Sequence, residues 1–548
     1  MPGMSLVSAM VLTLGLSLAL TRRAWTAAGA TAYLMATIVL GSWIKQSREG
    51  MAMTLGDIHF IALHPVQNFF LFVTYPSILA TGVALVAGAI AILLTGGRFE
   101  RPVAAFTRPR TGPGARAATA VLTSAIATFG FTTTGSLQAA NPHGDAYVTW
   151  LSIEDMQHPK GWIGRLNVFF ENRDTDAALP PRRPQTRFKD TTTDAVAVPG
   201  GERPDILMVF EESTFDPTVI ARCRFPECDS GMLHPLPAVA RSQEGPLLTH
   251  TTGGGSWLTE FAFFSGFDWR AFGRGGRFAP ISLAPRLRHS LPRTMRALGY
   301  RTIAIYPSEG EFLGAETAYR HYGFEEFHSA RELQLPEEWF KVRDNLVFEK
   351  AVAAATRSGD TRPVFILALT IRNHGPYRND EKAVPEEFRP IGREMNMGLA
   401  DYLYRMQDSS RDYLELAGRW LNSPRPRVIG WFGDHEPEVA WDFLTKTADL
   451  NSSRLGFTPT RDQLRYLTHY QFSSNRPAAG KPDRTGGVLD VSYLAADMLA
   501  FAGLPLDAAS AAAMDVMERC HGLMLACSDH ELIEDYLSYR IHDLKSVQ

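Results

Sequence analysis

Residues 428–436 read Val-Ile-Gly-Trp-Phe-Gly-Asp-His-Glu. The uncharged run at 428–432 predicts a strand buried on both faces, and it ends in a carboxylate and an imidazole. Two other stretches are built the same way. Ile-Leu-Met-Val-Phe at 206–210 runs into Glu211-Glu212-Ser213, and Val-Phe-Ile-Leu-Ala-Leu at 364–369 runs into Thr370-Ile-Arg-Asn-His374-Gly-Pro-Tyr377. A fourth apolar run lies at 302–306, and amphipathic stretches at 291–298, 346–356, 395–421 and 489–502 read as helices. This alternation predicts an α/β domain, with a largely parallel central sheet flanked by helices. Ligand sites in such sheets gather beyond the carboxyl ends of the strands, where three runs here deliver metal-ligand side chains.

Thr251-Thr-Gly-Gly-Gly-Ser256-Trp-Leu-Thr-Glu260-Phe adds another element. The glycines permit close backbone approach, and Ser256 opens an apolar helical stretch at 257–264. On local grounds Ser256 could simply cap that helix. A helix N-terminus also favours an anionic oxygen, so Ser256 is the candidate nucleophile, with a metal to stabilise its alkoxide. Glu212, Asp434, His435 and the Ser256 hydroxyl would make a four-donor site for one divalent cation, and zinc and manganese both suit mixed oxygen and nitrogen donors. His374 reads as a proton donor or phosphate contact rather than a ligand. Singly, Glu212 could be a solvated strand end, Asp434 a turn residue and His435 a structural imidazole.

At these residues the sequence resembles the sulfatase-like branch of the alkaline phosphatase superfamily. More narrowly, it is similar to the membrane-bound lipoteichoic acid synthases and the phosphoglycerol and phosphoethanolamine transferases of bacteria. The resemblance spans roughly residues 204–505. It rests on Phe210-Glu-Glu-Ser213, Gly255-Ser256 with Glu260-Phe261, Tyr319 with Tyr322-Gly-Phe324, Asn373-His-Gly-Pro376 and Gly433-Asp-His435. It implies a double displacement through a covalent phospho-serine intermediate. Ser256 takes the head-group phosphate of a phospholipid, diacylglycerol leaves, and a cell-envelope glycan or lipid accepts the group. It places Glu212, Asp434 and His435 at metal-ligand positions, Ser256 at a position usually threonine, and His374 beside the substrate phosphate.

The chain departs from the pattern in two places. Leu313 and Ala315 stand where lipoteichoic acid synthases carry a tryptophan and an arginine against the glycerol phosphate, so that pocket is not reproduced. Ser256 is followed by Trp257-Leu258-Thr259-Glu260, not by the x-Pro-x-Arg of arylsulfatases, which disfavours a formylglycine sulfatase. A membrane-anchored phosphodiesterase or phosphatase would use the same groups. A non-catalytic envelope binding protein would have no need of the nucleophile.

Outward from this domain the composition changes. Apolar stretches at 6–20, 27–43, 69–94 and 117–134 predict about four transmembrane helices in a domain at 1–140. Arg22 and Arg23, and the arginines at 98, 101, 108, 110 and 116, mark the cytoplasmic loops. Everything after residue 140 then lies outside a bacterial inner membrane, on the periplasmic side. Residues 57–63 read as an interfacial segment, and 141–202 as a connection. That connection begins with a surface stretch bearing Trp150, Trp162, Phe169 and Phe170, then turns proline-rich at 179–184 and ends Pro-Gly-Gly at 199–201. The catalytic domain is expected at 203–510, with a tail at 511–548. Cys223/Cys228 and Cys520/Cys527 predict two short disulfide loops, the alternatives being a zinc site or free thiols. A net charge of -3 argues against nucleic acid.

Overall fold

In the computed structural model, the described residues in the front of the chain are 4–49, 51–63, 65, 76–98, 100–103, 112–139, 159, 161–171, 177–184 and 186–188. From residue 202 onward they are all but 222, 238, 337–341, 357–358, 378–383, 390–394, 442–449, 452–454, 456, 461–462, 478–486 and 525. The chain divides into two compact units, Met1–Ala178 and Leu179–Gln548.

The first unit is helical, with Met4–Thr21, Ala24–Glu49, Leu55–Leu63, Pro76–Thr95, Gly112–Ala139 and Gly161–Glu171. Helix Met4–Thr21 packs along Gly112–Ala139. There Gly15 faces the Thr123 side chain with no room for a Cβ, as small residues allow where apolar helices pack closely. Glu100 Oε1 and Oε2 accept from the amides of Trp25 and Thr26 at 2.7 and 2.8 Å, satisfying donors that the start of Ala24–Glu49 would leave open. Among the described residues one helix, Ala24–Gln46, is long and apolar enough to cross a membrane, and Leu6–Thr21 and Gly82–Ile92 are shorter apolar stretches. The expected third span lies only partly within the described residues, and Trp150 and residues 199–201 lie outside them.

The second unit is built on an eight-stranded sheet in the order β4-β3-β5-β1-β6-β7-β2-β8. The strands are β1 Asp205–Glu211, β2 Arg241–Leu248, β3 Arg301–Ile305, β4 Glu326–His328, β5 Val364–Leu369, β6 Arg427–Gly433, β7 Leu467–Ser474 and β8 Leu489–Asp490. The five strands from β4 to β6 run parallel, and β7 pairs antiparallel with both β6 and β2. Every residue of β1, β3 and β5 is buried, as the apolar runs at 206–210, 303–305 and 364–369 lead one to expect.

Side chains alternate between two cores. Leu207, Val209, Ile366, Ile429 and Trp431 pack with Val347 and Phe348 of helix Asp344–Ala355 and with Leu403, Leu416 and Trp420 of helix Met397–Leu421. On the opposite face Phe210 meets Phe432 at 5.1 Å, and Phe432 meets Phe263 of helix Ser256–Ser265 at 4.6 Å. The helix bearing Ser256 is thereby seated on the sheet directly beside β6. Disulfides join Cys223 to Cys228 and Cys520 to Cys527. Residues 508–548 form helices Ala508–Arg519 and His530–Ser538 and belong to the second unit.

Candidate metal and nucleophile site

Strands β1 and β6 are parallel neighbours with Glu211 opposite Gly433, so Glu212 and Asp434 leave the sheet side by side. The turn after β6 needs a glycine: a Cβ on Gly433 would lie 1.7 Å from the Thr214 carbonyl oxygen. Ser213 sits in the left-handed region at φ 50°, an unusual state for a residue with a side chain. Its amide is held there by Asp434 Oδ1 at 2.6 Å, and its hydroxyl donates to Glu212 Oε1 at 2.8 Å.

Asp434 Oδ1 also accepts from the His435 amide at 2.8 Å, which leaves Oδ2 buried without a hydrogen-bond partner. His435 Nδ1 is 2.9 Å from the Glu436 carbonyl, which can only accept. Nδ1 therefore carries the proton, and the buried, unpartnered Nε2 presents a lone pair. That Nε2 lies 3.3 Å from Asp434 Oδ2 and 3.5 Å from Glu212 Oε1. All three residues are buried, and their donor atoms lie within 4.8 Å of one another. Burial first, and then the neighbouring Asp434 carboxylate, push Glu212 up to about 8. Two orphaned donor atoms beside a destabilised carboxylate fit a divalent cation, which would satisfy all three at once.

Ser256 is half-buried and is the first residue of helix Ser256–Ser265. The N-cap is Gly255, so the capping role open to Ser256 in the sequence falls to its neighbour. Gly253 at φ 121° and Gly254 at φ 59° take conformations that side chains disfavour. One turn into the helix, Thr259 Oγ1 donates to the Asp434 carbonyl at 2.8 Å. Glu260 is buried on the following position and is also pushed to about 8, by burial first and then by Asp434 and Glu212.

His374 follows β5 on the same edge of the sheet. Its Nδ1 pairs with the Gly375 carbonyl, and burial holds its pKa below the ordinary value, so it is neutral near pH 7. Arg405 Nη1 donates to the His374 carbonyl at 2.8 Å, and Nη2 donates to the Pro376 carbonyl and to Asp401. Leu313 lies after β3 at φ 49°, and Ala315 opens helix Ala315–Tyr322.

Arg405 and a second buried group were not singled out from sequence. His250 Nε2 lies 2.9 Å from Asp490 Oδ1 and 3.4 Å from Asp268 Oδ2. Here Arg270 Nε donates to Asp268 at 2.8 Å, so this group, unlike that at Glu212 and Asp434, includes a paired protein cation. His250 directly precedes the Thr251–Gly255 loop and anchors it. Arg405 carries no signal because it stands in an amphipathic helix like any solvated arginine. The His250 group is assembled from distant parts of the chain.

Residues 204–418, which carry strands β1 to β5 and the residues Glu212, Ser256 and His374, match the family model Sulfatase. An uncharacterized protein of Haemophilus influenzae is 27% identical over 354 residues, covering 62% of this chain and 60% of that one. A putative cyclic β-1,2-glucan modification protein of Rhizobium meliloti is 25% identical over 254 residues, covering 43% and 36%. The chain thus spans 60% or less of the length of these curated relatives. The solved phosphoglycerol transferase GacH of Streptococcus pyogenes, in complex with sn-glycerol-1-phosphate, is 16% identical with a TM-score of 0.45. That match covers 63% of this chain and 90% of that chain.

Proposed function

We propose that this chain is a membrane-anchored, metal-dependent phosphotransferase that moves a phospholipid head-group phosphate to a cell-envelope hydroxyl through phosphorylated Ser256. The observation that carries the reading is the pair of buried, partnerless donors Asp434 Oδ2 and His435 Nε2 beside Glu212, with Thr259 fixing the Ser256 helix to Asp434.

Glu212, Asp434 and His435 would hold the ion, with the Ser256 hydroxyl as a further donor; bound zinc or manganese would stabilise negative charge on oxygen there. In the first step Ser256 Oγ forms a bond to phosphorus, the phosphorus–oxygen bond to diacylglycerol breaks, and the serine proton goes to the departing alkoxide. In the second, the acceptor hydroxyl oxygen bonds to phosphorus, the Ser256 Oγ–phosphorus bond breaks, and the acceptor proton returns to Ser256. His374, neutral and fixed through Nδ1 on the Gly375 carbonyl, would serve proton exchange during these steps. The N-terminal amides of helix Ser256–Ser265 favour the phosphoryl oxygens.

A phosphoglycerol or phosphoethanolamine group is the donor class suggested by the sequence resemblance. The Rhizobium meliloti relative is named for modification of a cyclic β-1,2-glucan, which supports a glycan hydroxyl as acceptor. Placement outside the cytoplasm is supported by both disulfides, and a membrane anchor by the exposed apolar side chains of the first unit, among them Val7, Leu20, Trp43, Val86 and Leu122. A multi-pass anchor follows from the expected spans.

Lipid mass spectrometry on membranes holding the intact chain or Ser256→Ala, supplied with metal and a periplasmic glycan, tests the proposal. Diacylglycerol should accumulate and one phospholipid class fall with the intact chain alone. Matching lipids in the two samples refute a phospholipid donor.

A further inference from the structure

Arg540 is 1% exposed and follows helix His530–Ser538 in the C-terminal tail. Its Nη2 donates to the Ser265 carbonyl at 2.8 Å, and its Nη1 to Tyr536 Oη at 2.6 Å. The guanidinium lies 4.4 Å over the Phe267 ring. Ser265 ends the helix that Ser256 begins, so Arg540 occupies the opposite end from the nucleophile. A cation there satisfies an open carbonyl and suits the negative pole of the helix. Gly266 closes the helix at φ 68°, and a Cβ at that position would lie 3.2 Å from Arg540 Nη1.

The same tail helix holds segment 179–188. Arg183 pairs with Glu534 and, through Nε, with Asp535 at 2.8 Å. Arg187 reaches Asp529 at 2.6 Å, Glu531 at 3.0 Å and Asp535 at 3.2 Å. The Arg183 amide donates to Ser538 Oγ at 2.8 Å. Phe188 stacks on Tyr539 at 5.4 Å and meets Tyr536 edge-on at 6.1 Å. Tyr536 therefore touches both the docked segment and Arg540.

We infer that the tail couples the docking of segment 179–188 to the placement of the nucleophile helix, with Arg540 as a positioning residue for Ser256. The segment is the route by which the chain passes from the apolar helices into the second unit. Its seating on His530–Ser538 fixes Asp535 and Tyr536, Tyr536 fixes Arg540, and Arg540 fixes Ser265. The part concerning Ser256 rests on the proposed function; the coupling itself does not.

The test uses the full-length chain in detergent and the double variant Arg183→Ala/Arg187→Ala. These side chains are 31% and 35% exposed, so their removal leaves the core intact. Hydrogen exchange is followed by mass spectrometry. Exchange should rise by about threefold or more in peptides covering both 530–540 and 256–266, with β1, β5 and β6 unchanged. Faster exchange at 530–540 with 256–266 unchanged overturns the coupling, and so does an equal rise throughout the unit. With an active transferase, Arg540→Gln should lower kcat by about tenfold at constant KM, with partial recovery in Arg540→Lys. A raised KM at unchanged kcat contradicts the positioning role. If the intact chain transfers no head group, the proposed function fails while the exchange result still decides the coupling.

Discussion

Thr259 donates its hydroxyl hydrogen to the backbone carbonyl of Asp434 at 2.8 Å, linking the helix that begins at Ser256 to the strand end that carries two metal-ligand candidates. Both residues are fully buried. Thr259→Val keeps the shape and removes the donor, leaving a buried carbonyl open at a cost of about 1–3 kcal/mol. We expect a lower Tm and about a tenfold loss of kcat or more, with Thr259→Ser near the parent in both. Steady-state kinetics with thermal unfolding check this; a Thr259→Val protein with parental kcat would show that the link does not position the helix.

Metal removal should make stability depend on pH. Glu212 and Glu260 are both raised from 4.5 to about 8 in the folded chain. The folded form therefore binds more protons than the unfolded form between these values. Their stabilising contribution is complete below about pH 4.5 and is lost as pH rises towards 8. Thermal unfolding in chelator should show Tm falling over that window, and added zinc or manganese should raise Tm most at its upper end. A flat profile in chelator would contradict the raised carboxyls of Glu212 and Glu260.

Much of this site was legible because parallel strands buried on both faces announce themselves as unbroken apolar runs. The strand ends at Glu212, His374 and Asp434 could be read directly from those runs. Strands β2, β4, β7 and β8 were not read. β7 is Leu-Thr-His-Tyr-Gln-Phe-Ser-Ser and wholly buried, its polarity met by bonds such as Gln471 to the His234 carbonyl at 2.7 Å and Thr468 to the Gly433 carbonyl at 3.1 Å. Pro246 in β2 lacks the amide expected of an interior strand, yet it pairs with His469. Helix 489–502 was expected whole, whereas its first residues form β8 and Asp490 caps the helix through the Ser492 amide. The tail held no periodic signal for its role, because its partners at 179–188 and Ser265 are distant in sequence.

His374 is kept neutral by burial, and the proton-carrier role proposed for it would set an acid limb. Protonation should abolish kcat/KM only below the ordinary histidine value of 6.5. His374→Gln should remove that limb and lower kcat/KM by about 100-fold. A pH–rate profile whose acid limb survives in the variant would assign the titration to another group.

The central claim is that Ser256 carries the transferred phosphate, and acid-quench mass spectrometry of the full-length chain tests it most directly. The metal-loaded protein is mixed with phospholipid donor, quenched within the first turnovers and digested. The account predicts a head-group phosphate on the peptide containing Ser256, localised to that residue and absent from Ser256→Ala. A modification on another residue, or head-group transfer by Ser256→Ala at the parental rate, would contradict it.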